Sequence, residues 1–185
     1  MQPQPERGSA HRASDPHRPA GAAEADRLLA TYLRDHAAGA ATGLALARRC
    51  RRENAGTALE GTLVEIEMEI AEDRRSLLDI MSRLGMSPSR LKSALGSLAE
   101  LVGRLKSNGL LLRYSPSSRV VELEGLMAGV VAKRALWRTL RSIAADRAQL
   151  DAGELDRLIE RATSQHERLA AVHDRTAPEA FATVT

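Results

Sequence analysis

Aromatic side chains are almost missing from this chain: one Trp, one Phe and two Tyr make up 2% of 185 residues. Sheet cores draw on aromatic and β-branched residues, so a β fold is hard to build from such material. The 43% hydrophobic content has to be packed mainly as Leu, Ile, Val, Ala and Met, which suits helices. Cysteine is scarce as well. Cys50 stands alone, which excludes an internal disulfide and a thiolate metal cluster, and near a helix end it reads as a small packed side chain. No stretch approaches the roughly 20 apolar residues of a membrane span. One-sided charge is lacking too: 27 basic against 24 acidic residues leave a net charge of +3, which neither demands nor excludes nucleic acid. No glycine-rich phosphate loop, Cys-x-x-Cys pair, or Ser or Cys beside an evident base occurs, so no residue is assigned a catalytic role.

What is present is helical periodicity. Residues 1–20, rich in Pro, Gly, Ser, Arg and His, cannot bury a core and are expected to form a disordered tail. They carry no apolar segment of the secretory kind, so the cytoplasm is the expected compartment. A first helix is expected from about Ala22 to Asn54, with a seam at Leu29, Leu33, His36, Ala40, Gly43, Ala47 and Cys50. Arg48, Arg49, Arg51 and Arg52 crowd its end, where cations complement the helix dipole. Gly56 closes it. Thr57 and Glu60 then read as a capping box opening a second helix, whose seam is Leu59, Leu63, Ile66, Ile70, Asp73, Leu77, Ile80 and Leu84, ended by Gly85. Ser87-Pro88 opens a third, with Leu91, Leu95, Leu98, Val102 and Leu105. Ser115-Pro116 opens a fourth, running to about Ala144 and apolar on more than one side, with a strip of small residues at Gly125, Gly129 and Ala132. Asp151 and Glu154 open a fifth, carrying Leu155, Leu158, Ala162, Gln165, Leu169 and Val172. A frayed tail is expected over 177–185.

Residues 84–124 also resemble a winged helix-turn-helix. "LGMSPSRLKSAL" has the look of a turn and recognition helix, with Arg90 and Lys92 near its start, and "SRVVEL" that of a wing strand. That reading makes the protein a DNA-binding regulator. It needs a strand at 119–123, and helical structure throughout 117–143 excludes it. Against it stand an unbroken seam from Leu59 to Leu84, about 40 Å of helix at 1.5 Å per residue, and helical spacing that continues past "SRVVEL".

A bundle uses the same residues better. The first two helices pair, the last two pair, and the long connection between them can cross the bundle height. The runs "TYLRDHAAGAATGLALARR", "EIAEDRRSLLDIMSRLG", "RLKSNGLLLRYSPSSRVVELEGL" and "AKRALWRTL" resemble a family of uncharacterised bacterial proteins, mostly actinobacterial, with a ferritin-like helical bundle. The resemblance covers about Asp26 to Val172. It implies an all-α, antiparallel four-helix bundle of ferritin-like type over 21–176, with an extra helix in the crossover connection. It implies no activity.

Ferritin-like di-metal sites take a Glu from each of two helices and Glu-x-x-His from each of the others. Here Glu69 and Glu72 lack a His, and Thr163 stands three residues before His166, so the full set is absent. Counting residues down each helix instead places His36, Asp73, Lys133 and Gln165 (or His166) at one mid-height level. As a satisfied polar layer these residues would fix register. As an atypical metal site, His36, Glu69, Asp73 and His166 would hold Fe, Mn or Zn, although Lys133 would repel a cation. The expected function is a non-catalytic binding or structural protein, as a homo-oligomer if the small-residue strip is shared between copies, with no membrane partner. The alternatives are a metal-dependent oxidoreductase or metal-storage protein, and the DNA-binding regulator.

Overall fold

A computed structural model of the chain describes residues 20–86 and 114–182. Among these residues the protein is all-helical, without a strand, and forms a helical bundle. The elements are α1 (Ala20–Glu53), α2 (Glu60–Arg83), α3 (Pro116–Ser142), a 3₁₀ turn at Ala144–Asp146, and α4 (Ala152–Phe181). The expected tail up to residue 19, the expected helix at 88–108 in the crossover, and residues 183–185 lie outside the described residues. None of the described helices is long and apolar enough to cross a membrane.

Local chemistry sets the ends of these helices. Ser115 caps α3: its Oγ accepts from the Ser118 amide at 3.2 Å, and Pro116 occupies the first turn, where its missing N–H costs nothing. Asp151 caps α4, accepting from the Glu154 amide at 2.8 Å. α2 closes with both bonds of a Schellman motif, Met86 N–H to the Met81 carbonyl at 2.8 Å and Gly85 N–H to the Ser82 carbonyl at 2.9 Å. Gly85 sits at φ +71° for that purpose. The Thr57–Glu60 capping box is corrected. α2 begins at Glu60, and Thr57 N–H is already spent on the Asn54 carbonyl at 3.2 Å. Glu60 therefore reaches one residue further back, to Gly56 N–H at 2.8 Å. α4 also runs on past Thr176, through Pro178, to Phe181, and Thr176 is buried with its hydroxyl donating to the Val172 carbonyl at 2.8 Å. The hydroxyl supplies an internal partner where fraying was expected.

The core is aliphatic. Leu33, Leu63, Ile66, Leu77, Ile80, Leu123, Leu136, Leu140, Leu155 and Leu169 are buried, around the single Trp137. On α2 and α4 the buried residues fall on the expected seams, with Met81 and Thr176 buried in addition. α1 departs from its expected seam. Ala37 and Leu44 are buried, while His36, Ala40 and Gly43 are only partly covered. Residues 117–142 are α-helical, so the wing strand that DNA readout would need at 119–123 is replaced by helix. α3 packs extensively on α4 and also on α1, and α1 packs on α2. The α2 and α4 backbones approach one another at few positions.

Two glycines give opposite expectations. Gly85→Ala places a Cβ in the left-handed region and should destabilise by about 1–2 kcal/mol. Gly61→Ala, inside α2 with nothing within 4 Å of a new Cβ, should stabilise by about 0.5–1 kcal/mol. Urea unfolding midpoints of the two variants check the pair of signs.

Candidate functional site

Period-correct burial brings one carboxylate into the middle of the bundle. Asp73 lies on the α2 seam between Ile70 and Leu77 and is 2% exposed. An ionised carboxylate at such a depth must be paired. Its Oδ2 meets the Lys133 ammonium of α3 and accepts from Gln165 Nε2 of α4 at 3.0 Å. Its Oδ1 accepts from Arg161 Nε of α4 at 2.8 Å. Lys133 also donates to Gln165 Oε1, which closes a ring of three side chains from three helices. Arg161 reaches outward to Glu72 at 3.1 Å and links the buried ring to the surface. Burial pushes the Lys133 amine below its ordinary range, and the neighbouring Asp73 opposes this only in part.

The structure therefore brings together Asp73, Lys133 and Gln165. It does not join His36 to them. His36 lies partly exposed on α1, packed edge-to-face on Tyr32 with ring centroids 4.5 Å apart, and it lines a cleft that Asp73 and Lys133 also line. Burial lowers its pKa, and Asp35 counteracts this to a smaller degree. Arg161 is the member of the network that the seams miss. An arginine reads as a solvated residue, yet it stands one turn before Gln165 on the same face of α4.

The four candidate metal ligands do not converge. Glu69 is paired with Arg168, Asp73 with Lys133 and Arg161, His36 is stacked on Tyr32, and His166 lies elsewhere on α4 with partial exposure. Among the described residues no three His, Cys, Asp or Glu side chains are placed to hold an ion. Glu69, Glu72 and Asp73 at that level already carry cationic partners. A resident metal does not fit this donor set, because a divalent ion would have to displace Lys133 and Arg161 from Asp73.

A second polar cluster lies where α1 ends and α3 starts. Arg49 Nε donates to Glu122 at 2.6 Å. Fully buried Asn54 donates to the Cys50 carbonyl and to the Tyr114 hydroxyl, each at 2.7 Å. Burial raises Glu122 above the usual carboxylate range, against the pull of Arg49. The Cys50 thiol is pushed up to about 12 by burial, with Glu122 adding to it, so it stays protonated and unreactive at neutral pH. The cluster ties chain segments together and presents no nucleophile.

Removing Asp73 and removing Lys133 should not cost the same. Asp73→Leu leaves two cations facing the gap and should cost about 3–5 kcal/mol. Lys133→Met leaves Asp73 with Arg161 and Gln165 and should cost less, about 1.5–3 kcal/mol by the loss of a charged hydrogen bond. A double-mutant cycle by urea denaturation reads the difference.

His36 gives a pH signature. Its folded pKa lies below the ordinary 6.5, so as pH falls the unfolded chain takes up the proton first. Stability is full above about 6.5 and declines as pH falls through the window down to the lowered folded value. His36→Gln should flatten that part of the stability profile between pH 7 and pH 5, as measured by unfolding midpoints.

No family model, no curated protein and no solved structure matches the chain.

Proposed function

We propose that the protein is a ferritin-like, antiparallel four-helix bundle in which an internal ion pair stands where a metal centre would be, and that it works as a non-catalytic binding or structural protein. The observation that carries the proposal is the Asp73–Lys133–Gln165 ring. It fills mid-height of the core with mutually neutralised groups and leaves no free carboxylate there.

The helix directions in this proposal are supported by which ends meet. Asp26 near the start of α1 pairs with Arg147 just beyond α3, at 2.7 Å, while Arg49 near the end of α1 pairs with Glu122 early in α3. Arg83 at the end of α2 meets Glu154 at the start of α4, and Glu65 early in α2 meets Arg168 late in α4. Arg141 and Asp156 join the end of α3 to the start of α4 at 2.9 Å. α2 and α3 then run parallel, the arrangement of a bundle with one long crossover.

Catalysis finds little support in such a core. Its buried acid is paired with two cations, its lysine and amide are bonded to each other and to Asp73, and the Cys50 thiol is protonated. A buried network of this type fixes which helix faces meet, at some cost in stability relative to an apolar core.

Elemental analysis tests the proposal. Protein expressed with Fe, Mn and Zn supplied, and then desalted, should carry far less than one metal ion per chain, and Asp73→Asn should leave that value unchanged. Stoichiometric metal in the wild type that is lost in Asp73→Asn would replace this reading with the metal-dependent one.

A further inference from the structure

A cleft of about 130 Å³ opens between α1, α2 and α3. Four glycines in the interiors of long helices line it, Gly39 and Gly43 on α1 and Gly125 and Gly129 on α3. A mid-helix glycine is less favourable than alanine, and the usual compensation is close approach of a neighbouring helix. That explanation holds at Gly125 alone, where a Cβ would come within 3.1 Å of Leu46 Cδ2. At Gly39, Gly43 and Gly129 a Cβ would meet nothing within 4 Å. What these three glycines preserve is the open space itself.

The wall of the cleft is mostly aliphatic, from residues such as Ile70, Leu126 and Leu136, with a small polar share. Its one acid, Asp73, is saturated by Lys133, Gln165 and Arg161. Trp137 lines the wall and is 1% exposed, but its indole N–H is buried away from the open space. Arg74, partly exposed, has no carboxylate partner among the described ion pairs, unlike Arg75, which lies 3.8 Å from Glu72. The space therefore offers an apolar volume and, at Arg74, one positive charge without a carboxylate partner among the described ion pairs. A cavity of about 150 Å³ takes benzene, so this one sets the ligand at a similar size.

We propose that the α1–α2–α3 cleft is a binding site for a small monocarboxylate with an apolar body, with Arg74 holding the carboxylate and the aliphatic wall covering the body. The proposal deepens the reading of the bundle as a binding protein and rests on it. The ligand class follows from chemistry: the anion meets the uncommitted guanidinium and accepts from its N–H groups, and the hydrocarbon part replaces water against Ile70, Leu126 and Leu136.

Trp137 is the single tryptophan of the chain, so its fluorescence reports on this cleft alone. The test titrates the full chain with benzoate, and in parallel with benzyl alcohol, following fluorescence and calorimetric heat. Saturable binding of benzoate at millimolar or lower concentration is expected, with benzyl alcohol at least about tenfold weaker, as fits the loss of a charge-assisted bond. Arg74→Gln should weaken benzoate by a similar factor and leave benzyl alcohol unchanged. Gly129→Leu should abolish both; its Cβ has room and leucine favours helix, so circular dichroism should show the bundle intact. Absence of saturable benzoate binding overturns the proposal, and so does equal binding of the uncharged alcohol. Either failure leaves the metal-content result standing, because that measurement reads ions at Asp73 and this one reads an anion at Arg74.

Discussion

A carboxylate that is 2% exposed has to be met by positive charge and hydrogen-bond donors, and the supply must come from other helices, because α2 turns the rest of that face to aliphatic neighbours. Asp73 imposes this condition on the bundle. Lys133 has to lie on the inner face of α3, and Gln165 and Arg161 on the inner face of α4, all at one height. A shift of α3 or α4 by one turn, about 5.4 Å, would leave the Asp73 carboxyl without these partners among aliphatic side chains. The aliphatic seams tolerate sliding better than this, since leucine packs against leucine at many heights. The ionic ring is therefore what selects a single register from several apolar ones.

The same ring explains how α2 and α4 are held. Their backbones approach at few positions, and long side chains span the gap: Arg83 to Glu154, Arg161 to Glu72 and Asp73, Arg168 to Glu65 and Glu69. Acids stand on α2 and bases on α4 along most of this line. Ion pairs also join α1 to α2, through Arg48 and Arg51 to Glu67, and α3 to α4, through Arg141 to Asp156. Pairs that are half exposed contribute little singly. Their sum along the α2–α4 line favours this facing of the two helices.

How far the residues alone revealed this depended on contrast within each helix. α2 and α4 carry large aliphatic residues at steps of three and four with charged residues between them, so their seams, Asp73 and Gln165 included, could be read directly. α1 offers Ala and Gly on almost every side over residues 37–43. Small residues do not distinguish an inward from an outward face, and His36 was drawn into a seam that passes beside it through Ala37. Arg161 was invisible because arginine is ordinarily solvated, and only the depth of Asp73 gives it an inward role. The winged-helix likeness came from a Ser-Pro helix start followed by β-branched residues, features that Ser115, Pro116, Val120 and Val121 share with a helix. The cleft could not be read at all, because its existence depends on three helices leaving room at the same level.

The α2–α4 seam has few close backbone approaches and, among the described residues, five ion pairs across it, and this has a consequence. Dehydration of ions becomes less costly as temperature rises, while aliphatic burial gains little more. Dissolved salt acts oppositely on the two kinds of contact, screening the partly exposed ions and leaving the aliphatic packing firm. The α2–α4 edge is thus the side of the molecule whose grip depends most on ionic strength, and the α3–α4 side, with its extensive packing, the one that depends least.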